Sequence, residues 1–163
     1  MNVNVVQIGP LSVALYEREI GNKDTGGKVW ENAIVLSNYI ESMERRTPGF
    51  WTNKNVIELG CGTGLSGIIA YLLGANVILT DVASILDLTT QNVEAAKLLR
   101  REGCGTIKVM ELPWGSPLPS ELRSIAFNYV IASDVVYTAE SFSPLVRTLR
   151  DLTEVYERPP DIL

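Results

Sequence analysis

The chain has 163 residues, 46% of them hydrophobic and 20% charged, with a formal net charge of −5 at pH 7. This length suits one domain with one core, and the acidic balance argues against a nucleic-acid partner, which would require a basic surface. No apolar run approaches the roughly 18 residues of a membrane helix, and the N-terminus lacks the features of a signal peptide. We therefore expect a cytoplasmic or nuclear protein that does not bind membranes.

Cysteine and histidine content limits the chemistry. The sequence has two cysteines, Cys61 and Cys104, and no histidine. Two cysteines without a C-x-x-C pair form neither a disulfide framework nor a metal clip, and histidine is the commonest zinc ligand and general base. A cysteine nucleophile would also lack a histidine to activate it. We expect no metal site and no catalysis by histidine or cysteine.

The first 50 residues predict an N-terminal extension. Residues 11–19 alternate between apolar and polar side chains as in a strand, and residues 21–27, rich in Gly, Asn and Asp, predict a hairpin loop. From Trp30 to Met43, apolar side chains recur at helical spacing, and Pro48-Gly49 ends the segment. We therefore expect a β-hairpin followed by an amphipathic helix.

Residues 51–163 alternate between strands and helices. Strands are predicted over 56–60, 76–81, 106–111 and 128–133. Helices are predicted over 64–73 and 84–101, in a short segment after the polar loop 113–120, and from Ser143 as cap and Pro144 as first residue to about Tyr156. This alternation predicts right-handed βαβ units, and therefore an α/β, Rossmann-like parallel sheet with helices on both faces, within one domain of residues 1–163.

The end of the sequence predicts an incomplete sheet. Pro159-Pro160 stand where another strand would begin, so four parallel strands are expected, the last with an unpaired apolar edge over Asn128 to Ser133. Such an edge is available for pairing with another chain. The expected state in solution is accordingly a monomer or a dimer paired through this edge.

A glycine-rich turn follows the first strand of this sheet. Gly60-Cys61-Gly62-Thr63-Gly64 connects the strand to a helix, and glycine brings the backbone close to a ligand and adopts positive φ without a steric penalty. Residues 62–67 also fit the G-x-G-x-x-G pattern of dinucleotide sites. Asp81, at the end of the second strand, suits hydrogen bonding to the ribose of a dinucleotide or of an adenosyl ligand, with a helix cap as the alternative.

Glu58 distinguishes between these ligands. It lies two residues before the first glycine, where its carboxylate would repel a pyrophosphate and favour the cationic end of a ligand. A sulfonium that carries an α-ammonium fits this position better than two phosphates do. An NAD-dependent oxidoreductase is therefore the weaker alternative.

Four motifs, in this order, carry a resemblance to a known family. They are Gly27-Lys28-Val29-Trp30-Glu31-Asn32-Ala33, the stretch Gly60 to Gly67, Leu112-Pro113-Trp114-Gly115 and Asp134-Val135-Val136-Tyr137. With Glu58 ahead of the glycines, the chain resembles class I, seven-strand S-adenosylmethionine-dependent methyltransferases, and among them the methyltransferase-like (family 16) protein lysine methyltransferases. The resemblance covers residues 11–163. It implies a protein-lysine N-methyltransferase that uses S-adenosylmethionine and releases S-adenosylhomocysteine.

The resemblance implies a set of cofactor-binding residues. They are Trp30, Glu58, Gly60, Cys61, Gly62, Gly64, Asp81, Trp114 and Ser133. The backbone of the glycine turn would line the methionine part, Asp81 would hold the ribose, and Ser133 would lie beside the reacting methyl. Trp30 and Trp114 would enclose the ligand, because indole rings attract a cation by roughly 0.5–2 kcal/mol; ordinary core packing is their alternative role.

The resemblance also implies a catalytic pair, Asp134 and Tyr137, at the carboxyl end of the fourth predicted strand. Open α/β sheets bind ligands at this edge. The Asp134 carboxylate would orient the lysine amine of a protein substrate, and the Tyr137 ring would wall its channel; a helix cap and simple packing are the alternatives. The family's substrates are chaperones, elongation factors and other ATPases.

The family's domain continues with further strands after the last helix, so the resemblance implies a fold whose last strands are truncated here. A noncatalytic module that binds S-adenosylmethionine or a protein partner is accordingly the main alternative to an enzyme.

Overall fold

The computed structural model describes residues 2–19, 25–154 and 158–163. In chain order its elements are β1 (Asn2–Ile8), β2 (Leu11–Glu17), α1 (Glu31–Arg46), β3 (Asn55–Leu59), α2 (Leu65–Leu72), β4 (Asn76–Asp81), α3 (Ala83–Lys97), β5 (Thr106–Glu111), α4 (Ser120–Arg123), β6 (Tyr129–Ile131), α5 (Ala139–Glu154) and β7 (Asp161–Ile162). Within these residues, no helix is both long and apolar enough to cross a membrane.

The main sheet is parallel, with the strand order β5-β4-β3-β6-β7. Val56 in β3 pairs with Val77 of β4 on one side and with Tyr129 of β6 on the other. The direction of strand addition therefore reverses at β3, and open α/β sheets bind ligands beyond the carboxyl ends of their strands at such a reversal. The predicted Rossmann-like α/β sheet is confirmed.

Two hydrophobic cores cover the two faces of the sheet. Alternation along β3 directs Val56 into one core and Ile57 and Leu59 into the other. The first core is completed by the β1–β2 hairpin and by side chains of α1, α2 and α3. The second is completed by side chains of α4 and α5. Helices therefore lie on both faces of the sheet, as predicted.

The N-terminal β-hairpin is confirmed, but its turn is not where the sequence predicted it. β1 and β2 pair antiparallel, with Ile8 opposite Leu11, so the turn is Gly9-Pro10. Gly9 has φ +53, a conformation that glycine adopts without a steric penalty. The strand predicted over 11–19 ends at Glu17. Of the predicted loop over 21–27, residues 21–24 lie outside the described residues.

The far edge of the sheet also differs from the prediction. Tyr129 of β6 pairs with Asp161 of β7, and Val130 pairs with Ile162. The sheet therefore has five strands rather than four, and the prediction of an unpaired edge over 128–133 was wrong. A dimer paired through that edge loses its basis, because β7 already occupies the hydrogen-bonding groups of β6.

The last helix begins earlier than predicted. α5 starts at Ala139, and Pro144 lies inside it rather than at its first position. The hydroxyl of Thr138 accepts a hydrogen bond from the Ser141 N–H at 3.3 Å, which is the geometry of a helix cap. Thr138 therefore caps the helix in place of Ser143.

Candidate active site

A cavity of about 590 Å³ opens at the carboxyl ends of β3, β4 and β6. Pockets for small molecules usually enclose roughly 300–1,000 Å³, so this one has the size of a ligand site. The predicted site residues that line it are Trp30, Gly60, Cys61, Gly62, Asp81, Trp114, Ser133, Asp134 and Tyr137. Glu58 and Gly64 do not line it.

The glycine turn between β3 and α2 forms the floor of this cavity. Gly60, Gly62 and Gly64 have φ values of +64, +52 and +84, a region that side chains other than glycine rarely adopt. The Cys61 N–H donates to the Thr80 carbonyl at 3.0 Å and the Gly64 N–H to the Cys61 carbonyl at 2.7 Å. These two amides are therefore used inside the protein, while the glycines allow a ligand to approach the backbone closely.

Asp81 at the end of β4 fixes the same turn. Its Oδ2 accepts a hydrogen bond from the Gly62 N–H at 2.8 Å, and its Oδ1 accepts one from the Val82 N–H at 2.8 Å. The residue that precedes α3 is Val82, which makes no side-chain cap. Asp81 is therefore not the cap of that helix; it holds the turn while its half-buried carboxylate lines the cavity.

Glu58 lies beneath the turn instead of facing the cavity. It is only 2% exposed, and its Oε2 accepts a hydrogen bond from the Gly67 N–H at 2.9 Å. Burial raises the pKa of this carboxyl to about 8, against the opposing effect of the Gly67 N–H and with a smaller contribution from the charge of Asp81. The sequence argument that Glu58 faces the cationic end of a ligand is therefore not supported by its position.

Cys61 and Gly64 are both buried residues of the glycine turn. The Cys61 thiol lies 3.8 Å from the Thr89 hydroxyl, and burial, reinforced by the charges of Glu58 and Asp81, raises the pKa of the thiol well above its usual value. A buried thiol of this kind is a poor nucleophile.

Across the described parts of the chain, no group of three or more His, Cys, Asp or Glu side chains is arranged as a metal site.

Two indole rings, of Trp30 and Trp114, line the cavity. Trp30, directly before α1, is 44% exposed, and its Nε1 donates to the Thr25 carbonyl at 2.9 Å. It is therefore not a core residue. Trp114 packs partly against the second core, yet it also approaches the glycine turn so closely that a Cβ on Gly60 would lie 2.8 Å from its Cζ2.

Asp134 and Tyr137 line the cavity after the end of β6. Asp134 has φ +55, a left-handed conformation that costs energy in residues other than glycine and is often found at functional sites. Asn32, near the start of α1, donates a hydrogen bond from Nδ2 to Asp134 Oδ1 at 2.5 Å. Tyr137 is 58% exposed, so its ring is part of the rim and not of the core.

Asn92 of α3 is a structural residue of the site that sequence reasoning missed. It is fully buried. Its side chain accepts from the Tyr16 N–H at 2.7 Å and donates to the Tyr16 carbonyl at 3.1 Å and to the Thr63 carbonyl at 3.0 Å. One side chain thereby joins the hairpin to the glycine turn. An isolated Asn within a helix carries no sequence signal for this role.

Two solved structures with a similar fold are named as methyltransferases. The T. thermophilus 16S rRNA N2 G1207 methyltransferase (RsmC), in complex with AdoMet and guanosine, gives a TM-score of 0.64 at 14% identity, over 90% of this chain and 38% of that chain. The SAM-dependent methyltransferase from Agrobacterium tumefaciens gives a TM-score of 0.52 at 14% identity, over 80% of this chain and 39% of that chain. At such low identity these likenesses show the fold alone.

Curated relatives are more similar in sequence. Protein N-lysine methyltransferase METTL21A of Danio rerio is 38% identical over 125 residues, which are 77% of this chain and 54% of that protein. Protein-lysine methyltransferase METTL21E of Mus musculus is 36% identical over 78% of this chain and 51% of that protein. Protein-lysine N-methyltransferase EFM6 of Saccharomyces cerevisiae is 32% identical over 88% of this chain and 64% of that protein.

The chain spans about half the length of the METTL21A and METTL21E relatives that it matches. A model of the family described as lysine methyltransferase matches residues 12–159, which include the hairpin strand β2, the glycine turn and the segment of Asp134 and Tyr137. Because this match extends over nearly the whole chain, the protein belongs to the lysine methyltransferase family.

Proposed function

We propose that this chain is an S-adenosylmethionine-dependent protein-lysine N-methyltransferase. The observation that carries the proposal is one cavity lined by two chemically different groups of residues: the glycine turn with Asp81, and Asp134 with Tyr137. The first group suits an adenosyl ligand, and the second suits an amine. Membership of the lysine methyltransferase family supports the same assignment.

The glycine turn, Asp81 and the two indole rings fit the proposed cofactor. Asp81 would accept hydrogen bonds from the ribose hydroxyls, and the backbone of Gly60 and Gly62 would contact the methionine part. The rings of Trp30 and Trp114 supply apolar and cation-attracting surface. Bound S-adenosylmethionine would supply the chemistry, an electrophilic methyl group on a positively charged sulfur.

Asp134 and Tyr137 would prepare the lysine amine for attack. A free lysine has a pKa of about 10.4, and only its neutral form carries the electron pair that attacks. Desolvation beside the Tyr137 ring and next to a cationic sulfur favours loss of the proton. With the cofactor bound, that electron pair would form the new N–C bond, and the electrons of the broken S–C bond would leave with S-adenosylhomocysteine. Asp134, held by Asn32, would orient the nitrogen, since most of the rate gain comes from in-line alignment.

NAD fits this cavity less well than S-adenosylmethionine does, and the reason is not that Glu58 would face a pyrophosphate. Helix N-termini bind pyrophosphate through free N–H groups. Here the Gly62 N–H is bonded to Asp81, and the Gly67 N–H in the first turn of α2 is bonded to the buried Glu58. Asp81 and Glu58 thus occupy two of the N–H groups near the start of α2. An oxidoreductase is accordingly the weaker candidate.

Binding of the proposed cofactor is tested by calorimetric titration of the purified chain with S-adenosylmethionine, with NAD as the control ligand. We expect saturable binding of S-adenosylmethionine alone. Asp81→Ala should weaken it about tenfold or more, because a charge-assisted hydrogen bond to the ribose is lost and the Gly62 N–H loses its partner. Asp87→Ala, which removes an exposed α3 carboxylate paired with Arg18, is the matched control. Binding of NAD in preference would refute the assignment.

The transfer half is tested with radiolabelled S-adenosylmethionine and a protein extract, followed by purified chaperones, elongation factors and other ATPases as the acceptors that we propose to try first. Asp134→Ala is expected to lower transfer at least tenfold while calorimetric binding of the cofactor stays unchanged. Asp151→Ala on α5 is the control for loss of a carboxylate. Full transfer by Asp134→Ala would remove that residue from the mechanism. Binding without any transfer would instead favour the noncatalytic module.

A further inference from the structure

Lys28 is the one cationic side chain that lines the cavity, as far as the described residues extend. The same lining carries three carboxylates, on Asp81, Asp134 and Glu140. We propose that the Lys28 ammonium binds the α-carboxylate of the cofactor's amino-acid part. This inference rests on the proposed function and extends it by naming the residue that holds the anionic end of the ligand.

The charges of the ligand and the cavity lead to this pairing. S-adenosylmethionine carries a positive sulfonium, a positive ammonium and a negative carboxylate. The three lining carboxylates favour the two positive groups and oppose the negative one. A carboxylate among carboxylates is favoured beside a positive charge, and Lys28 is the side chain in the described lining that offers one.

The backbone that carries Lys28 is fixed on both sides. The Arg18 N–H donates to the Gly27 carbonyl at 2.9 Å, directly before Lys28. The Val29 N–H, directly after it, donates to Glu17 Oε1 at 2.9 Å. Although the Lys28 side chain is exposed, its starting point is therefore held against the end of β2. A preorganised anchor loses less entropy on binding.

This segment also lies directly on the glycine turn. A Cβ on Gly62 would come within 3.1 Å of the Gly26 carbonyl oxygen, so residues 26 and 62 are in contact. Trp30, two residues beyond Lys28, lines the same cavity. Lys28 therefore lies in the chain between Gly26, which contacts the glycine turn, and Trp30, and all three line the cavity.

The test compares two ligands that differ only in the carboxylate: S-adenosylhomocysteine and its decarboxylated form, 5′-(3-aminopropylthio)-5′-deoxyadenosine. Both are titrated calorimetrically into the wild-type chain, Lys28→Met and Lys28→Arg. Lys54→Met is the matched control, because Lys54 directly precedes β3, at the end of the strand opposite the cavity, and its loss changes the net charge equally.

Lys28→Met is expected to raise the Kd of S-adenosylhomocysteine about tenfold and to leave that of the decarboxylated ligand unchanged. Lys28→Arg should retain most of the affinity, and Lys54→Met all of it. The tenfold effect should shrink when the ionic strength rises from about 0.05 to about 0.5 M, since an exposed ion pair is screened.

The inference is overturned if Lys28→Met weakens both ligands equally or weakens neither, while both bind the wild-type chain. That outcome leaves the proposed function intact. If neither ligand binds the wild-type chain, the proposed function fails and this inference fails with it.

Discussion

Replacement of Glu58 by glutamine is expected to change how the free energy of unfolding depends on pH. The carboxyl is 2% exposed, and burial raises its pKa from 4.5 to about 8 in the folded protein. Below about pH 4.5 the group is protonated in both states. As the pH rises from 4.5 towards 8, the unfolded chain loses this proton while the folded protein keeps it, so the free energy of unfolding falls.

The size of this fall follows from the two pKa values, 4.5 and about 8. At about 1.4 kcal/mol for each pH unit between them, the loss of stability reaches roughly 5 kcal/mol. Above about pH 8 the folded carboxyl ionises as well, and the loss stops growing. The chain contains no histidine, so this window is free of the side chain that usually titrates within it.

Glu58→Gln removes the titration but keeps an oxygen that accepts the Gly67 N–H. Relative to the wild type, the variant should therefore gain stability steadily between pH 5 and 8, as the wild type loses it. Glu94→Gln is the control for the loss of a carboxylate, because Glu94 is an exposed side chain of α3 that pairs with Lys97.

Urea unfolding followed by tryptophan fluorescence, repeated at half-unit steps of pH, measures the effect. The reasoning is refuted if the difference in unfolding free energy between Glu58→Gln and the wild type is the same at pH 5 and pH 8. It is also refuted if that difference moves in the opposite direction, which would mean that the folded protein stabilises the ionised carboxylate.

Two further predictions concern packing around the turn. Gly67→Ala should destabilise the protein by about 1–2 kcal/mol in thermal unfolding, although alanine favours a helix, because its Cβ would lie 2.2 Å from Leu79 Cδ2; an unchanged or higher Tm would contradict this. Asn92→Ala should cost roughly 3 kcal/mol in urea unfolding, because buried groups of Tyr16 and Thr63 lose their partner. Unchanged hydrogen exchange at the Tyr16 amide would show that Asn92 does not hold the hairpin.

The parallel sheet was predictable because its signals are local. Apolar strands alternate with helical patterns, and glycines mark the turns that need positive φ. The alternation of side chains along β3 also predicts the position of Glu58. Because successive strand residues face opposite sides, Glu58 shares the α2 face with Val56 and does not point out beyond the end of β3. The distance of Glu58 from the glycines does not reveal the side of the strand on which its side chain lies.

Other features depend on contacts that no local pattern records. β7 has two residues, too few for a periodic signal, and exists because β6 offers it hydrogen-bonding partners. β1 pairs with β2 across Gly9-Pro10, and the prediction placed the turn at a richer glycine cluster farther along. The bond between Asn32 and Asp134 joins residues that only the tertiary fold brings together.

That bond has a consequence for synthesis of the protein. Asn32 and Asp134 are separated by 102 residues, so the hairpin, α1 and the glycine turn leave the ribosome long before the other wall of the cavity exists. At about 5–20 residues per second, the delay is about 5–20 s. During that interval the part of the cavity wall that carries Asp134 and Tyr137 does not exist, so the complete cavity cannot form until translation has passed β6.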